Sequence, residues 1–139
     1  MPTSWKTDVG VNHVGAYQVS GRPYATGSID ATGSADAIRV EFPKVTRWVQ
    51  VINRDDVNPC KVAFSRRGLA HPDTEFHFFV GKSQTAQDST DSAVYELKVS
   101  ELFLTGSGVV DVVAGLTNID IHRVSSSVGP NWSGSVGVG

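Results

Sequence analysis

Short hydrophobic runs with a period of two dominate the middle of the chain. Between about residues 36 and 116, β-branched and aromatic residues form short runs separated by turn residues at intervals of about ten. Alternation of this kind buries one side of a β-strand and leaves the other side wetter. The apolar sets are Ile38, Val40 and Phe42; Phe76, Phe78 and Val80; Tyr95, Leu97 and Val99; and Val110, Val112, Ala114 and Leu116.

The segment VTRWVQVIN, residues 45–53, carries apolar side chains on both of its faces. Val49 and Val51 fall on one face of an extended segment, whereas Trp48 and Ile52 fall on the other. A strand with two apolar faces needs cover on both sides. The pattern therefore predicts a central strand with a second contact layer.

Turn residues between the runs suggest how the strands are connected. Residues 60–64 are predicted to pair with residues 45–53 across the loop RDDVNP, and residues 101–104 are predicted to form a hairpin with 109–116 through TGSG. No segment of ten or more residues shows a helical period. The predicted fold is a single all-β sandwich, and both a jelly-roll-like and an immunoglobulin-like strand order fit this spacing.

The two ends of the chain differ from this body in composition. Residues 1–35 contain one strand-like stretch, 14–19, and are predicted to form an extended N-terminal arm, followed by a sandwich body over 36–122. Residues 123–139 contain nine Gly and Ser. Such a segment buries too little apolar surface to offset the cost of ordering its backbone, so it is predicted to be a C-terminal arm.

Aromatic side chains within the arms are the candidate partner-binding residues. They are Trp5, Tyr17 and Trp132, each surrounded by small or polar residues. An indole among glycines is a typical anchor where a flexible segment meets another protein. The alternative is that Trp132 folds back onto its own domain.

Overall charge and cysteine content limit the partners and the cellular compartment that can be expected for the protein. The chain has 139 residues, enough for one domain, with 12 Lys and Arg against 14 Asp and Glu. A net charge of -2 does not attract a polyanion electrostatically, so nucleic acid is not an expected partner. The one cysteine excludes an intrachain disulfide, and no apolar stretch has the length of a signal peptide or membrane span. We therefore expect a cytoplasmic product without a membrane partner.

Residues that could bind a metal lack the spacing of known sites. Cys60, His71 and His77 form no tight pair of the C-x-x-C or H-x-x-x-H type, so no metal or other cofactor is expected. Cys60 is expected in the core and His77 on the outer face of its strand. Asp55 and Asp56 lack the alternating acids and closing Glu of a calcium loop, and a solvated turn is predicted there.

The sequence contains no local signature of catalysis. There is no G-x-S-x-G element, and GSGVV at 106–110 leads into a strand rather than into the helix that a phosphate loop requires. We therefore expect no enzymatic activity. The densest basic cluster is interpreted as a solvated rim and comprises Lys61, Arg66, Arg67 and Lys82.

The order of these segments resembles small structural proteins of tailed bacteriophages, particularly those that decorate or cement the capsid. The resemblance spans roughly residues 20 to 120 and is carried by SGRPYATGS, RVEFPKVTRWVQVINRDD, KVAFSRRG, FHFFVG, YELKVSELFLTGSG and VVDVVAGLTNI, with F-P-x-V-T-R/K the most distinctive piece. It implies a β-sandwich body, a homotrimer, arms on neighbouring subunits and the major capsid protein as partner. It also implies assembly in the bacterial cytoplasm and a final location on the virion.

Two other classes share the predicted fold. A phage tail module, or a receptor- or carbohydrate-binding module, would also be a β-sandwich, with Trp48 as the only tryptophan of the body available to stack on a sugar. A single-strand nucleic-acid binder would need exposed aromatics in a basic groove, which the charge balance disfavours.

Overall fold

The computed structural model describes residues 22–32, 38–70, 77–126 and 129–130, which form a β-sandwich of two four-stranded antiparallel sheets. The first sheet contains β1 (Arg22–Ile29), β3 (Thr46–Asn53), β6 (Thr90–Asp91) and β8 (Val110–Leu116). The second contains β2 (Ile38–Glu41), β4 (Cys60–Ala63), β5 (Phe78–Val80) and β7 (Glu101–Thr105). Two further strands of two residues each, β9 (Ser125–Ser126) and β10 (Gly129–Pro130), pair antiparallel as a separate short hairpin.

The strand order decides between the two sandwich types. The first sheet has the order β1-β8-β3-β6 and the second has the order β2-β7-β4-β5. Every connection between consecutive strands crosses from one sheet to the other, except the one from β4 to β5. This is the arrangement of an eight-stranded jelly roll. The predicted β-sandwich is thus confirmed, with the jelly-roll order rather than the immunoglobulin-like one.

The core lies between the two sheets and follows the predicted alternation. Val49 and Val51 of β3 face inward, and so do Val110 and Val112 of β8. Opposite them, the second sheet contributes alternate apolar positions because its strands have the same period of two. The fully buried side chains include Phe42, Val49, Val51, Cys60, Val62, Leu102, Leu104, Val110, Val112 and Ala114.

Both predicted strand pairings are wrong. The strand at 60–64 does not pair with 45–53, because β4 lies in the second sheet between β7 and β5. The predicted hairpin of 101–104 with 109–116 is also absent, because β7 and β8 belong to different sheets. The turn between them bonds elsewhere: the Gly106 N–H donates to the Ala31 carbonyl, and the Ala31 N–H donates to that of Ser107.

Several boundaries also differ from the predicted ones. Residues 22–29, placed by the sequence in the N-terminal arm, form β1 and pair with β8. The stretch 94–99 keeps its predicted alternation of burial but forms only a single bridge, between Tyr95 and Val49. In the C-terminal arm, the short hairpin of β9 and β10 replaces part of the predicted extended chain. The predicted strand at 14–19 lies outside the described residues.

A short helix, α1 (Arg66–Ala70), lies on the outer face of the second sheet. Leu69 packs there against Ala63 and Phe103, and the Lys61 ammonium donates a hydrogen bond to the Leu69 carbonyl over 2.9 Å. The helix therefore gives the second sheet cover on both faces. Neither α1 nor the other described helical turn, Ile121–Arg123, is long enough to cross a membrane.

A bulge in β1 is held in place by an ion pair. The pairing of β1 with β8 shifts between Thr26 and Ile29, where Ser28 adopts a φ of 55°. The Ser28 N–H donates to the Asp111 carboxylate over 2.9 Å, and the Arg54 guanidinium lies 2.8 Å from the same carboxylate. A bulge of this kind twists an edge strand and limits its pairing with other chains.

We expect Gly27→Ala to weaken this bulge. A Cβ at Gly27 would lie 2.9 Å from the Asp111 Oδ1 and would push the carboxylate away from Ser28. The loss should be about 1–2 kcal/mol in the free energy of unfolding, measured by urea denaturation. In an Asp111→Ala background the same substitution should change the free energy of unfolding only slightly. An equal cost in both backgrounds would contradict the clash.

Candidate interaction surface

Both predicted arms join the body at the same end of the sandwich. Arg22, the first residue of β1, pairs with Leu116 at the end of β8, and Leu116 also pairs with Thr46 at the start of β3. Beyond β8 the chain stays at this end, because the Val45 N–H donates to the Ile119 carbonyl over 3.0 Å. We call this the arm end. The described chain therefore enters the sandwich at Arg22 and leaves it after Ile119 at the same end.

The opposite end, which we call the loop end, is organised by a buried amide. Asn53 is fully buried, and its Nδ2 donates to the carbonyls of Asn58, Val80 and Gly81 over 3.0, 3.3 and 3.1 Å. Its Oδ1 accepts the Ser107 hydroxyl over 2.7 Å and the Asp55 N–H over 3.0 Å. One side chain of the first sheet thus holds the loop after β3, the end of β5 and the turn before β8.

Asp55 extends this network at the loop end. Its carboxylate accepts the N–H of Gly108 and of Val57, each over 2.8 Å, and the N–H of Asn58 over 3.1 Å. These donors favour the charged form, with Gly108 the largest contributor, and lower the pKa of Asp55 to about 2. The acidic loop is therefore a turn with a specific role in joining two loops.

The fold should lose stability in acid partly through Asp55. The folded-state pKa of about 2 lies below the ordinary aspartate pKa of 3.8. The stabilising contribution of Asp55 is therefore complete above that ordinary value and is lost as the pH falls toward 2. Urea midpoints measured between pH 5 and pH 2.5 should fall more steeply for the natural chain than for Asp55→Asn.

Asp56→Asn is the matched control for this measurement, because it removes a neighbouring exposed carboxylate that accepts none of the three N–H bonds. Parallel midpoint curves for the natural chain and Asp55→Asn would show that Asp55 does not contribute to the loss in acid.

The outer face of the first sheet is the candidate interaction surface. Across the sheet, Pro23 of β1, Gly115 of β8 and Trp48 of β3 lie side by side, and Ala25 lies beside Val113 in the next row. We call this surface the Trp48 face; it comprises Pro23, Ala25, Trp48, Gln50, Ile52 and Val113, and it is bordered on the same side of the sheet by Asp111, which lies opposite Ile52. Pro23 and Ala25 are exposed, and the other four are half-buried. The solvent side of an antiparallel sheet is usually polar, whereas five of these six side chains are apolar.

The polar groups on and beside the Trp48 face already have partners within the chain. The Gln50 amide donates to the Ser92 carbonyl over 3.0 Å. Asp111 binds Arg54 and Ser28, and Arg47 lies 3.2 Å from Glu96. The face therefore offers mainly apolar contact area rather than hydrogen-bonding groups that converge on a ligand.

The sequence identified two of these six residues. Trp48 and Ile52 fall on the predicted second apolar face of the central strand, and the structure places them there, between β8 and β6. Val113 was missed. The sequence does contain a signal for it, because β8, like β3, has apolar residues on both faces, with Val110 and Val112 on one face and Val113 on the other. Pro23 and Ala25 were missed because β1 was assigned to the arm.

The candidate anchors Trp5, Tyr17 and Trp132 lie outside the described residues. The large apolar side chains that the described residues expose lie apart along the chain. They are Val57 at the loop end, Phe79 on the edge strand β5, Val94 and Ile121, with exposed fractions from 39% to 70%. Single exposed apolar residues are common in soluble proteins, so none of these four by itself marks a site.

The residues weighed as metal ligands lie in different environments. Cys60 is fully buried in the core, as predicted, and burial raises its pKa to about 12. His77 lies just before β5, with its Nδ1 3.3 Å from the Gly68 carbonyl oxygen, and His71 is outside the described residues. Among the described residues, no three His, Cys, Asp or Glu side chains come close enough to hold a metal ion.

The basic cluster is not a single surface. The guanidinium of Arg66 lies 5.6 Å from the ring centre of Phe103, and the Lys61 ammonium is bound to a carbonyl of α1. Lys82 follows β5 and is exposed. Of these cations, Lys61 and Arg66 therefore help to hold α1 on the second sheet, and Lys82 is solvated.

Comparisons with known proteins found no match for the chain among protein-family models, curated proteins or solved structures.

Proposed function

We propose that this chain is a non-enzymatic structural protein of a bacteriophage virion that decorates and stabilises the capsid. The observation that carries the proposal is the attachment of both predicted arms at one end of a jelly-roll body. Two arms that start from one end can contact the same underlying surface, whereas arms at opposite ends could not. The jelly roll itself recurs in viral capsid proteins, which adds support by analogy of fold alone.

In the proposed mechanism both arms bind the surface of the capsid. A segment that is poor in apolar residues can be ordered when its backbone pairs with another chain and its aromatic anchors enter pockets. Trp5, Tyr17 and Trp132 are the proposed anchors, and the major capsid protein is the proposed partner. In a homotrimer, several weak arm contacts act together, because each bound arm raises the effective concentration of the others.

A binding experiment tests this function directly. Purified protein is mixed with capsids assembled from the major capsid protein of the same genome and is then sedimented. We expect saturable binding at a fixed ratio to capsid protein, and a trimeric mass for the free protein by light scattering. Failure of the full chain to co-sediment with intact capsids would overturn the proposal.

Removing the C-terminal arm should weaken capsid binding while leaving the body folded. The deletion covers residues 125–139 and retains Val124, which is buried. We expect a loss of affinity of about tenfold or more, because one of the linked contacts is removed. Trp132→Ala in the full chain should reproduce much of this loss.

Circular dichroism and urea midpoints provide the control for these two variants. Unchanged spectra show that the body remains folded. Unchanged capsid affinity in the deletion variant would contradict a role of this arm in assembly.

A carbohydrate-binding module is the second candidate, and the half-buried Trp48 on an open sheet face favours it. Sugar sites combine an aromatic platform with several polar groups that converge on the ligand. Here Gln50 and Asp111 are engaged within the chain, which supports the decoration role instead. A saturable change of Trp48 fluorescence on addition of glycans would favour the carbohydrate-binding function.

A further inference from the structure

We infer that residues 1–21 bind across the Trp48 face of their own chain and cover it in the free subunit. This inference goes beyond the proposed function, because it concerns the protein before it meets any capsid. Its first support is the difference between the two sheets. The second sheet is covered by α1, whereas no described helix or strand outside the sandwich makes more than marginal contact with β3 or β8.

The second support is the position at which the segment enters the fold. Residue 21 connects directly to Arg22, the first residue of β1, and the next residue, Pro23, is part of the Trp48 face. Ser20 and Gly21 are residues that favour turns, so the chain can reverse here onto the sheet. A tether this short gives the segment a high effective concentration at the face.

The third support is the length of the segment. A chain of 21 residues spans at most about 70 Å when extended. The eight residues of β3 measure only about 26 Å along the strand. The segment is therefore long enough to reverse and cross the whole face.

The fourth support is chemical complementarity. The Trp48 face is apolar and its own polar side chains are engaged, so it fits an uncharged apolar strand better than a charged one. Residues 1–21 contain only two charged side chains, Lys6 and Asp8. Their apolar side chains are spread along the segment and include Trp5, Val9, Val11, Val14, Tyr17 and Val19.

The fluorescence of Trp48 measures whether the Trp48 face is covered. The chain contains three tryptophans, so Trp5→Phe combined with Trp132→Phe leaves Trp48 as the only one. We compare this double variant with the same variant lacking residues 1–20, which keeps β1 complete. We expect the deletion to shift the emission of Trp48 to longer wavelength and to raise acrylamide quenching about twofold or more, because the indole becomes wetter.

Two controls separate this result from a general loss of structure. Deleting residues 131–139 from the double variant should leave the emission of Trp48 unchanged. Adding a peptide of residues 1–21 with Trp5→Phe to the N-terminal deletion variant should reverse the shift with saturation. Tyr17→Asp in the otherwise intact double variant should reproduce part of the shift, so the test does not depend on the deletion variant alone.

Either of two results would overturn the inference. One is unchanged emission and quenching both on deletion of residues 1–20 and in Tyr17→Asp. The other is a signal from the intact double variant that depends on protein concentration, which would assign the face to a second copy. Neither result bears on capsid binding, which is measured separately by sedimentation with the full chain.

Discussion

Asn53→Ala should lower the free energy of unfolding by about 4 kcal/mol, a large fraction of the total stability of a domain of this size. The amide is fully buried and serves five partners, among them the carbonyls of Val80 and Gly81 and the hydroxyl of Ser107. Truncation leaves these groups without their partner, and each buried polar group without a hydrogen bond costs about 1–3 kcal/mol. Urea denaturation followed by circular dichroism measures the loss.

Gln50→Ala is the matched control, because it removes an amide from the same strand. The Gln50 amide is half-buried on the outer face and donates to one carbonyl, that of Ser92. Its truncation should cost less than about 1 kcal/mol. A similar cost for the two substitutions would contradict the central role that the structure gives to Asn53 in joining the loops.

Phe42→Ala should destabilise the fold by a comparable amount, about 3–5 kcal/mol. Its side chain is 1% exposed and follows β2, and its ring meets that of Tyr24 edge to face at a centroid distance of 5.2 Å. Truncation creates a cavity between β1 and the second sheet and removes an aromatic pair worth about 0.5–1.5 kcal/mol. Thermal or urea unfolding measures the change.

Phe79→Ala provides the comparison for the same residue type. Phe79 is 62% exposed on the edge strand β5, so its loss should change stability by about 0.5 kcal/mol or less. If Phe42→Ala cost no more than Phe79→Ala, the packing of Tyr24 on Phe42 would not be a significant part of the core.

The faces of the strands could be predicted from the sequence, because the side-chain alternation of a strand is a local property. Val110, Val112 and Ala114 are buried as their spacing predicts, and the two-faced strand at 45–53 is central. The partner of each strand could not be predicted in this way. The same apolar face suits either sheet of a sandwich, so alternation alone does not distinguish a hairpin from a crossing between sheets.

The wrong hairpin shows where local reasoning failed. The segment TGSG has the composition of a hairpin turn, yet Gly106 and Ser107 bond to Ala31 and Asn53, which are distant in sequence. The sequence of β7 does contain a signal against the hairpin, because Leu102, Phe103 and Leu104 are consecutive apolar residues without alternation, and the structure buries all three. A strand buried on both faces, between the core and α1, does not fit a solvent-exposed hairpin.

Part of the candidate surface could be predicted from the alternation of apolar residues. The second apolar face of residues 45–53 predicted a further contact layer, and Trp48 and Ile52 do lie on the outer side of the first sheet. The role of Asp55 was not accessible, because its partner Gly108 lies 53 positions away. Long-range hydrogen bonds of this kind leave no spacing pattern in the sequence.

The opposite placement of the arm end and the loop end gives the molecule a direction. If the arms hold the body on a particle, the loop end points outward, and a peptide inserted there is displayed to the solvent. The exposed turn between Thr85 and Asp88 is the natural position, since it lies beyond Ser83 and outside the hydrogen bonds of Asn53. Long insertions in surface loops cost little, because loop-closure entropy grows slowly with length. In that case the fold is suited to carry foreign sequences at the loop end, on the side away from the arm end.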